Sequence, residues 1–98
     1  MKKDQLIVDF LTNVSGDKRV QLSHICLFLA IYHQWQSIRF EHPIKITRRK
    51  LMLLSKIKSF ATYRKCILDL ERFGYLRYEL SYNPTGSLVY LPENYFNT

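Results

Sequence analysis

The sequence is poor in residues that break or crosslink a chain: its 98 residues include three glycines, three prolines and two cysteines. So little glycine and proline argues against a disordered tail, and it leaves little room for a glycine-rich phosphate loop. The longest uncharged apolar run, Ile25 to Tyr32, is eight residues long, far short of the roughly 20 that cross a bilayer. The acidic residues Asp4 and Asp9 interrupt any secretory signal core. We expect one folded cytoplasmic domain.

Metal-binding and catalytic patterns are also missing. Cys26 and Cys66 lie 40 residues apart in apolar surroundings, which favours buried free thiols in a reducing compartment. His24, His33 and His42 are spaced by nine residues, whereas helical or finger zinc pairs are spaced by three to five. No nucleophile elbow or paired carboxylate motif is present. We expect no cofactor, no metal, no small-molecule substrate and no enzymatic activity.

Acidic residues are absent from a long basic window. From His42 to Leu68 the chain carries eight Lys or Arg residues and no Asp or Glu, while the formal net charge of the whole chain is +7. This window therefore holds more than the entire net excess, and it predicts a polyanionic partner, either nucleic acid or an anionic membrane surface. The membrane alternative is weaker, because the core needs the apolar side chains of the same segment.

Two helices are predicted before this window. Residues 3–16 are predicted to form an amphipathic helix, because their apolar side chains recur at helical spacing. Residues from about Val20 to Phe40 are predicted to form a second helix. This helix is apolar on most faces, as expected of a central core helix. The stripe of the first helix packs on its own domain or on a partner, and a homodimer through this N-terminal helix is one expectation. The stripe consists of Leu6, Ile7, Phe10, Leu11 and Val14.

The basic window itself predicts a short strand and two helices. Ile44–Ile46 alternates as a strand, and Thr47 looks like the N-cap of a short helix that ends near Ser55. Ser59 caps a further helix that runs to Phe73. The expected inward residues of the short helix are Leu51, Met52 and Leu54.

A β-hairpin is predicted after the last helix. Gly74 is placed to terminate that helix in the left-handed conformation. The extended runs Tyr75–Leu80 and Leu88–Leu91 flank the turn residues Asn83 to Gly86. The fold class is therefore mainly α with a small β-hairpin (α+β), in the order of a winged helix-turn-helix with an extra N-terminal helix. Residues 20–91 form that core, and residues 92–98 form a C-terminal tail.

The last helix predicts which residues would meet DNA. Its core stripe is Tyr63, Cys66, Ile67, Leu70 and Phe73, and its opposite face is Ala61, Arg64, Lys65, Leu68 and Arg72. Because the N-terminal part of a recognition helix reaches base edges in the major groove, the expected base-reading residues are Phe60, Ala61, Thr62, Arg64 and Lys65, together with the capping Ser59. The expected phosphate anchors are Lys45, Arg48, Arg49, Lys56 and Lys58. Asn83 and Ser87, in the hairpin loop, are expected to reach a phosphate or the minor groove.

Three segments carry a family resemblance: LSHICLFLAIYHQWQSIRF, ITRRKLMLLSKIKSFATYRKCILDLERFGYLRYE and SYNPTGSLVYL. Together they span about Leu22 to Leu91. They resemble small bacterial winged-helix proteins, often described as transcriptional regulators, that are carried by chromosomes and by conjugative or mobilisable transposons. The sequence departs from that pattern at Lys58, where a turn glycine is expected, and at Phe60, where a small polar or basic residue is usual.

The resemblance implies DNA binding and, for some members, a role in element excision, targeting or regulation. The expected function is sequence-specific binding of double-stranded DNA, as a transcriptional regulator or an accessory factor of a mobile element, in the bacterial nucleoid. The alternative is a protein-protein interaction module within a larger nucleoprotein assembly, because a winged helix does not by itself determine function.

Overall fold

The computed structural model describes residues 2–80 and 86–91, and for residues 2–4 it describes the backbone alone. In this part of the chain, four helices are combined with a three-stranded antiparallel sheet, which confirms the predicted α+β class. The elements in chain order are α1 (Lys2–Ser15), α2 (Leu22–Ser37), β1 (Ile44–Ile46), α3 (Arg48–Ser55), α4 (Phe60–Arg72), β2 (Arg77–Glu79) and β3 (Ser87–Tyr90).

Helix α1 packs on its own domain. Leu6, Phe10 and Val14 are buried, and the Phe10 ring stacks on the ring of Phe28 in α2 with a centroid distance of 3.7 Å. Phe10 also meets the ring of Tyr75 edge-on at 5.4 Å. The apolar stripe predicted from the sequence is therefore used inside the molecule, except for Leu11, which is exposed.

Helix α2 is the central helix, as predicted, but it is shorter than Val20 to Phe40. Gln21 precedes it as the N-cap, and its backbone N–H donates to Nδ1 of His24 at 2.9 Å. At the other end Arg39 and Phe40 adopt positive φ angles, and the Phe40 N–H returns to the Trp35 carbonyl. The Phe40 ring then lies edge-on to the buried Trp35 ring at 5.0 Å. This aromatic contact folds the chain back before Phe40, so the helix ends at Ser37.

The sheet has the strand order β1-β3-β2. The predicted hairpin is confirmed as the β2-β3 pair, in which Tyr78 faces Val89, although β2 is shorter than Tyr75–Leu80. The strand begins later because the Tyr75 N–H donates to the Leu70 carbonyl at 2.9 Å, so Tyr75 still belongs to the end of the preceding helix. Strand β1 adds to the other side of β3, with Ile44 opposite Val89. The turn residues Asn83, Pro84 and Thr85, and the tail 92–98, lie outside the described residues.

Helices α3 and α4 begin at the predicted caps. The Thr47 and Ser59 hydroxyls accept hydrogen bonds from the N–H groups of Lys50 (3.4 Å) and Thr62 (3.3 Å). Lys56, in the connection between the helices, is left-handed with φ of 65°.

The inward face of α3 differs from the prediction at Leu54. Leu51 and Ser55 are buried, Met52 is half-buried and Leu54 is 39% exposed. At about 100° per residue, Leu51 and Ser55 lie on the same side of the helix, and Met52 and Leu54 lie to either side of them. The side of this short helix that packs on the core is therefore centred on Leu51 and Ser55.

The core stripe of α4 is confirmed. Tyr63, Cys66, Ile67 and Leu70 are buried, and Phe73 is half-buried. The two cysteines are free thiols; Cys66 is buried as predicted, and Cys26 is half-buried.

Gly74 provides a test of the helix terminus. Its φ is 90°, as predicted, and its N–H donates to the Glu71 carbonyl. A side chain in the left-handed region costs roughly 1–2 kcal/mol, so Gly74→Val should lower the free energy of unfolding by about that amount in denaturant titration. Gly16→Val is the matched control, because a Cβ on Gly16 meets no atom within 4 Å. Equal losses in both variants would contradict this account.

Candidate nucleic-acid interface

The exposed face of α4 is the starting point of the candidate site. The residues predicted to face away from the core, Ala61, Arg64, Lys65, Leu68 and Arg72, are all exposed. Ser59 and Thr62, next to them at the start of the helix, are exposed as well. A basic helix face therefore protrudes from the domain while the opposite stripe is held in the core.

A cleft of about 480 Å³ lies between this helix, the start of α3 and the sheet. Arg48 and Arg49 enter it from the first turn of α3, and Arg64 enters it from α4. We call these three residues the arginine cluster. The sequence placed Arg48 and Arg49 among the phosphate anchors and Arg64 among the base readers, whereas the structure brings all three to one cleft.

The arginine cluster carries charge without compensation. Within residues 2–80 and 86–91, none of its three guanidinium groups has a carboxylate within ion-pair distance. Unpaired positive charges lining a concave surface focus the field outward and attract anions. The cleft is therefore electrostatically suited to a polyanion.

The wall of the cleft is aromatic and neutral. Tyr63 is buried there, and burial, together with the nearby Tyr78 phenol, raises the pKa of its hydroxyl to about 12 despite the opposing charge of Arg48. Tyr63 therefore stays protonated at neutral pH and adds no negative charge to the cleft. Its neighbours Tyr78 and Leu80 are partly exposed and widen the apolar surface.

Phe60 has a defined place in this cleft. Its ring is 49% exposed, and the guanidinium carbon of Arg48 lies 4.3 Å from the ring centroid. This distance is within the range of a cation–π contact. Phe60 is thus in contact with a member of the arginine cluster.

Lys65 differs from Arg64 although both lie on the exposed face of α4. The Lys65 Nζ donates to Oδ2 of Asp69 at 2.8 Å, one turn further along the helix. Its charge is therefore shared with a carboxylate of the same helix. Of the two cations predicted to read bases, only Arg64 has no carboxylate partner among the described residues.

Asp69 is a structural residue that sequence reasoning missed. This buried carboxylate accepts hydrogen bonds from Lys65, from Arg72 at 2.7 Å and from the buried His24 at 3.0 Å. Because Nδ1 of His24 accepts from the Gln21 N–H, its Nε2 carries the proton that is donated to Asp69. The spacing of Lys65 and Asp69 on one helix was a local signal for part of this cluster. The contact with His24 joins α4 to the start of α2 and has no such signal.

The other predicted anchors do not line this cleft. Lys56 and Lys58 line a second depression of about 570 Å³, which is also bordered by the start of α4 and by the first two turns of α2. Lys45 is exposed on β1 between two buried isoleucines.

Of the two predicted wing residues, one is described. Ser87 is half-buried on β3 and lines the arginine-cluster cleft, with its Oγ 3.3 Å from the Tyr78 hydroxyl oxygen. Asn83 lies outside the described residues.

Comparison with protein-family models, with curated proteins and with solved structures finds no match for this chain. Among the described residues, no three His, Cys, Asp or Glu side chains are grouped so that they could hold a metal ion. None of the helices in the described ranges has the length and apolar character needed to span a bilayer.

Proposed function

We propose that this chain is a winged helix-turn-helix protein that binds double-stranded DNA with sequence preference. The observation that carries the proposal is the arginine cluster, three guanidinium groups without a carboxylate partner among residues 2–80 and 86–91, beside the exposed face of α4. Two capped helices joined by a four-residue connection, followed by two strands of a small sheet, fit this fold.

The proposed docking places α4 in the major groove. Arg64, exposed in the second turn, reaches base edges together with Ala61 and Thr62. Arg49 and Arg48, at the start of α3, lie against the flanking phosphates. The exposed Lys45, Lys56 and Lys58 add phosphate contacts, and β2 and β3 form the wing beside the cleft.

The biological role that we propose follows the family resemblance. Such a protein acts as a transcriptional regulator or as an accessory DNA-binding factor of a mobile element, in the bacterial nucleoid. A second copy that docks on α1 would meet Val8 and Leu11, since Leu6, Phe10 and Val14 are buried in the domain. Selection of bound duplexes from a random pool tests the dimer, because a two-fold symmetric motif indicates two copies.

One observation favours the alternative, a protein-interaction module. Leu53 and Leu54 are adjacent exposed leucines on α3, and Leu53 is 71% exposed. A docking role through this pair predicts that Leu53→Ser abolishes capture of a partner protein while DNA affinity stays unchanged. The DNA-binding proposal predicts the reverse pattern for substitutions in the arginine cluster.

The salt dependence of DNA affinity tests the proposal directly. Each phosphate neutralised contributes a slope of about −0.9 in log K against log salt. The five proposed phosphate contacts, Lys45, Arg48, Arg49, Lys56 and Lys58, therefore give about −4.5 and roughly a 500-fold loss of affinity between about 50 and 200 mM salt. Fluorescence anisotropy with a labelled random duplex measures this slope. An affinity that does not change over this range, or the absence of binding at low salt, would overturn the proposal.

Single substitutions separate base reading from anchoring. Arg64→Ala should weaken a selected site by about 1–3 kcal/mol and weaken random duplex less, whereas Arg49→Ala should weaken both alike and reduce the salt slope by about one. Lys18→Ala, an exposed cation in the α1–α2 loop, is the control for loss of one distant charge. The division of roles is wrong if Arg64→Ala and Arg49→Ala have the same effect on both duplexes.

A further inference from the structure

Phe60 is an exposed aromatic side chain that core packing does not explain. It is the first residue of α4, directly after the capping Ser59; its side chain is 49% exposed and lines the cleft. Single exposed apolar side chains are common on protein surfaces, so what distinguishes Phe60 is the cation that its ring contacts. That cation is the guanidinium group of Arg48, 4.3 Å from the ring centroid.

Arg48 and Arg49 form an internal comparison. They are consecutive residues of α3, both are exposed, and both line the same cleft. Among the described residues, Arg49 has neither a carboxylate nor an aromatic ring in contact, whereas Arg48 is held against the Phe60 ring. A free arginine side chain loses rotamer freedom when it binds, and a guanidinium group that is already held in place loses less.

We propose that Phe60 is a positioning residue for DNA binding. Its ring holds the Arg48 guanidinium in the cleft, so that Arg48 meets a DNA phosphate as a preorganised planar donor while Arg49 meets the DNA as a mobile charge. This inference rests on the proposed function. It also gives a role to a phenylalanine at a position where a small polar or basic residue is usual in the family that the sequence resembles.

A double-mutant cycle between Phe60 and Arg48 tests the proposal. The four proteins are the unmodified chain, Phe60→Leu, Arg48→Ala and the double variant, each titrated with the same duplex at constant salt. Phe60→Leu keeps apolar bulk and removes the ring, and it should weaken binding about two- to five-fold, the range expected for an exposed cation–π contact. In the Arg48→Ala background the same substitution should have no effect.

The salt slope distinguishes positioning from charge. Phe60→Leu removes no cation, so its slope should equal that of the unmodified chain, whereas Arg48→Ala should reduce the slope by about 0.9. Phe60→Tyr keeps the ring and should restore binding. The control cycle pairs Phe60→Leu with Arg49→Ala, and these two effects should be additive because no contact joins them.

The free protein provides a second measurement that does not depend on DNA. The side-chain protons of Arg48 should show a ring-current shift in NMR spectra, and Phe60→Leu should remove that shift while the circular dichroism spectrum shows that the fold is retained. Equal losses of binding from Phe60→Leu in the presence and absence of Arg48 would overturn the positioning role while leaving DNA binding intact. Failure of the unmodified chain to bind any duplex would instead overturn the proposed function.

Discussion

Replacing Phe10 by alanine should lower the free energy of unfolding by about 3–5 kcal/mol, the range for a fully buried phenylalanine. The Phe10 ring is completely buried, stacked on the Phe28 ring and edge-on to the Tyr75 ring. Its removal therefore leaves a cavity between α1 and α2, next to Tyr75. Urea or guanidinium titration followed by circular dichroism measures the loss.

The neighbouring Leu11 is the matched control for Phe10. It lies on the same helix and is 43% exposed, so Leu11→Ala should cost less than about 1 kcal/mol. If Phe10→Ala and Leu11→Ala cost the same, α1 does not pack on its own domain. A cost that depended on protein concentration would point instead to a second copy as the partner of this helix.

Asp69→Ala should lower the free energy of unfolding by about 3 kcal/mol. This loss lies between the cost of leaving a buried donor without its acceptor and the cost of breaking a buried charge pair. The Lys65 and Arg72 side chains are mostly exposed and can turn to water, whereas the Nε2–H of the buried His24 loses its acceptor. Glu79→Ala, which breaks the long and exposed pair with Arg77, is the control and should change stability by less than about 0.5 kcal/mol.

The contribution of Asp69 should depend on pH. Burial raises the pKa of the Asp69 carboxyl, but the hydrogen bonds from Lys65 and His24 and the charges of Lys65 and Arg72 outweigh burial, and the pKa is lowered. A carboxyl with a lowered folded-state pKa stabilises the fold above its unfolded-state value and loses this contribution as the pH falls through the folded-state value. The difference in stability between the unmodified chain and Asp69→Ala should therefore shrink as the pH falls below about 4. A difference that grows in acid would contradict this assignment.

Features set by neighbours in sequence could be predicted, because their physical causes are local. The caps at Thr47 and Ser59, the left-handed Gly74 and the buried stripe of α4 all depend on residues within one or two turns. The end of α2 has an equally local cause, since Phe40 closes on Trp35 only five residues away, but it could not be predicted because Arg39 and Phe40 adopt positive φ angles without a glycine to signal them. Nor could the pairing of β1 with β3, since nothing in Ile44–Ile46 specifies a partner near Val89.

The candidate site also combines features that could be predicted from the sequence with features that could not. The basic window and the exposed face of α4 follow from charge counts and helical periodicity. For the pairing of Lys65 the sequence held a local signal, because Asp69 lies four residues further along the same helix. The sequence could not show that Arg64 has no carboxylate partner among the described residues or that Arg48 contacts Phe60, because these features depend on how separate elements pack.

The position of β1 affects the order in which the parts of the fold form during synthesis. Strand β1 ends one residue before the cap of α3, and its partner residues on β3 are more than 40 positions further along the chain. Contacts at such separation form slowly, because a long loop must close before they stabilise anything. On the ribosome, α3 and α4 emerge well before Ser87, which completes one wall of the arginine-cluster cleft. The helices that carry the arginines are thus synthesised before the cleft can form, and a nascent chain acquires the complete cleft only after β3 has been synthesised.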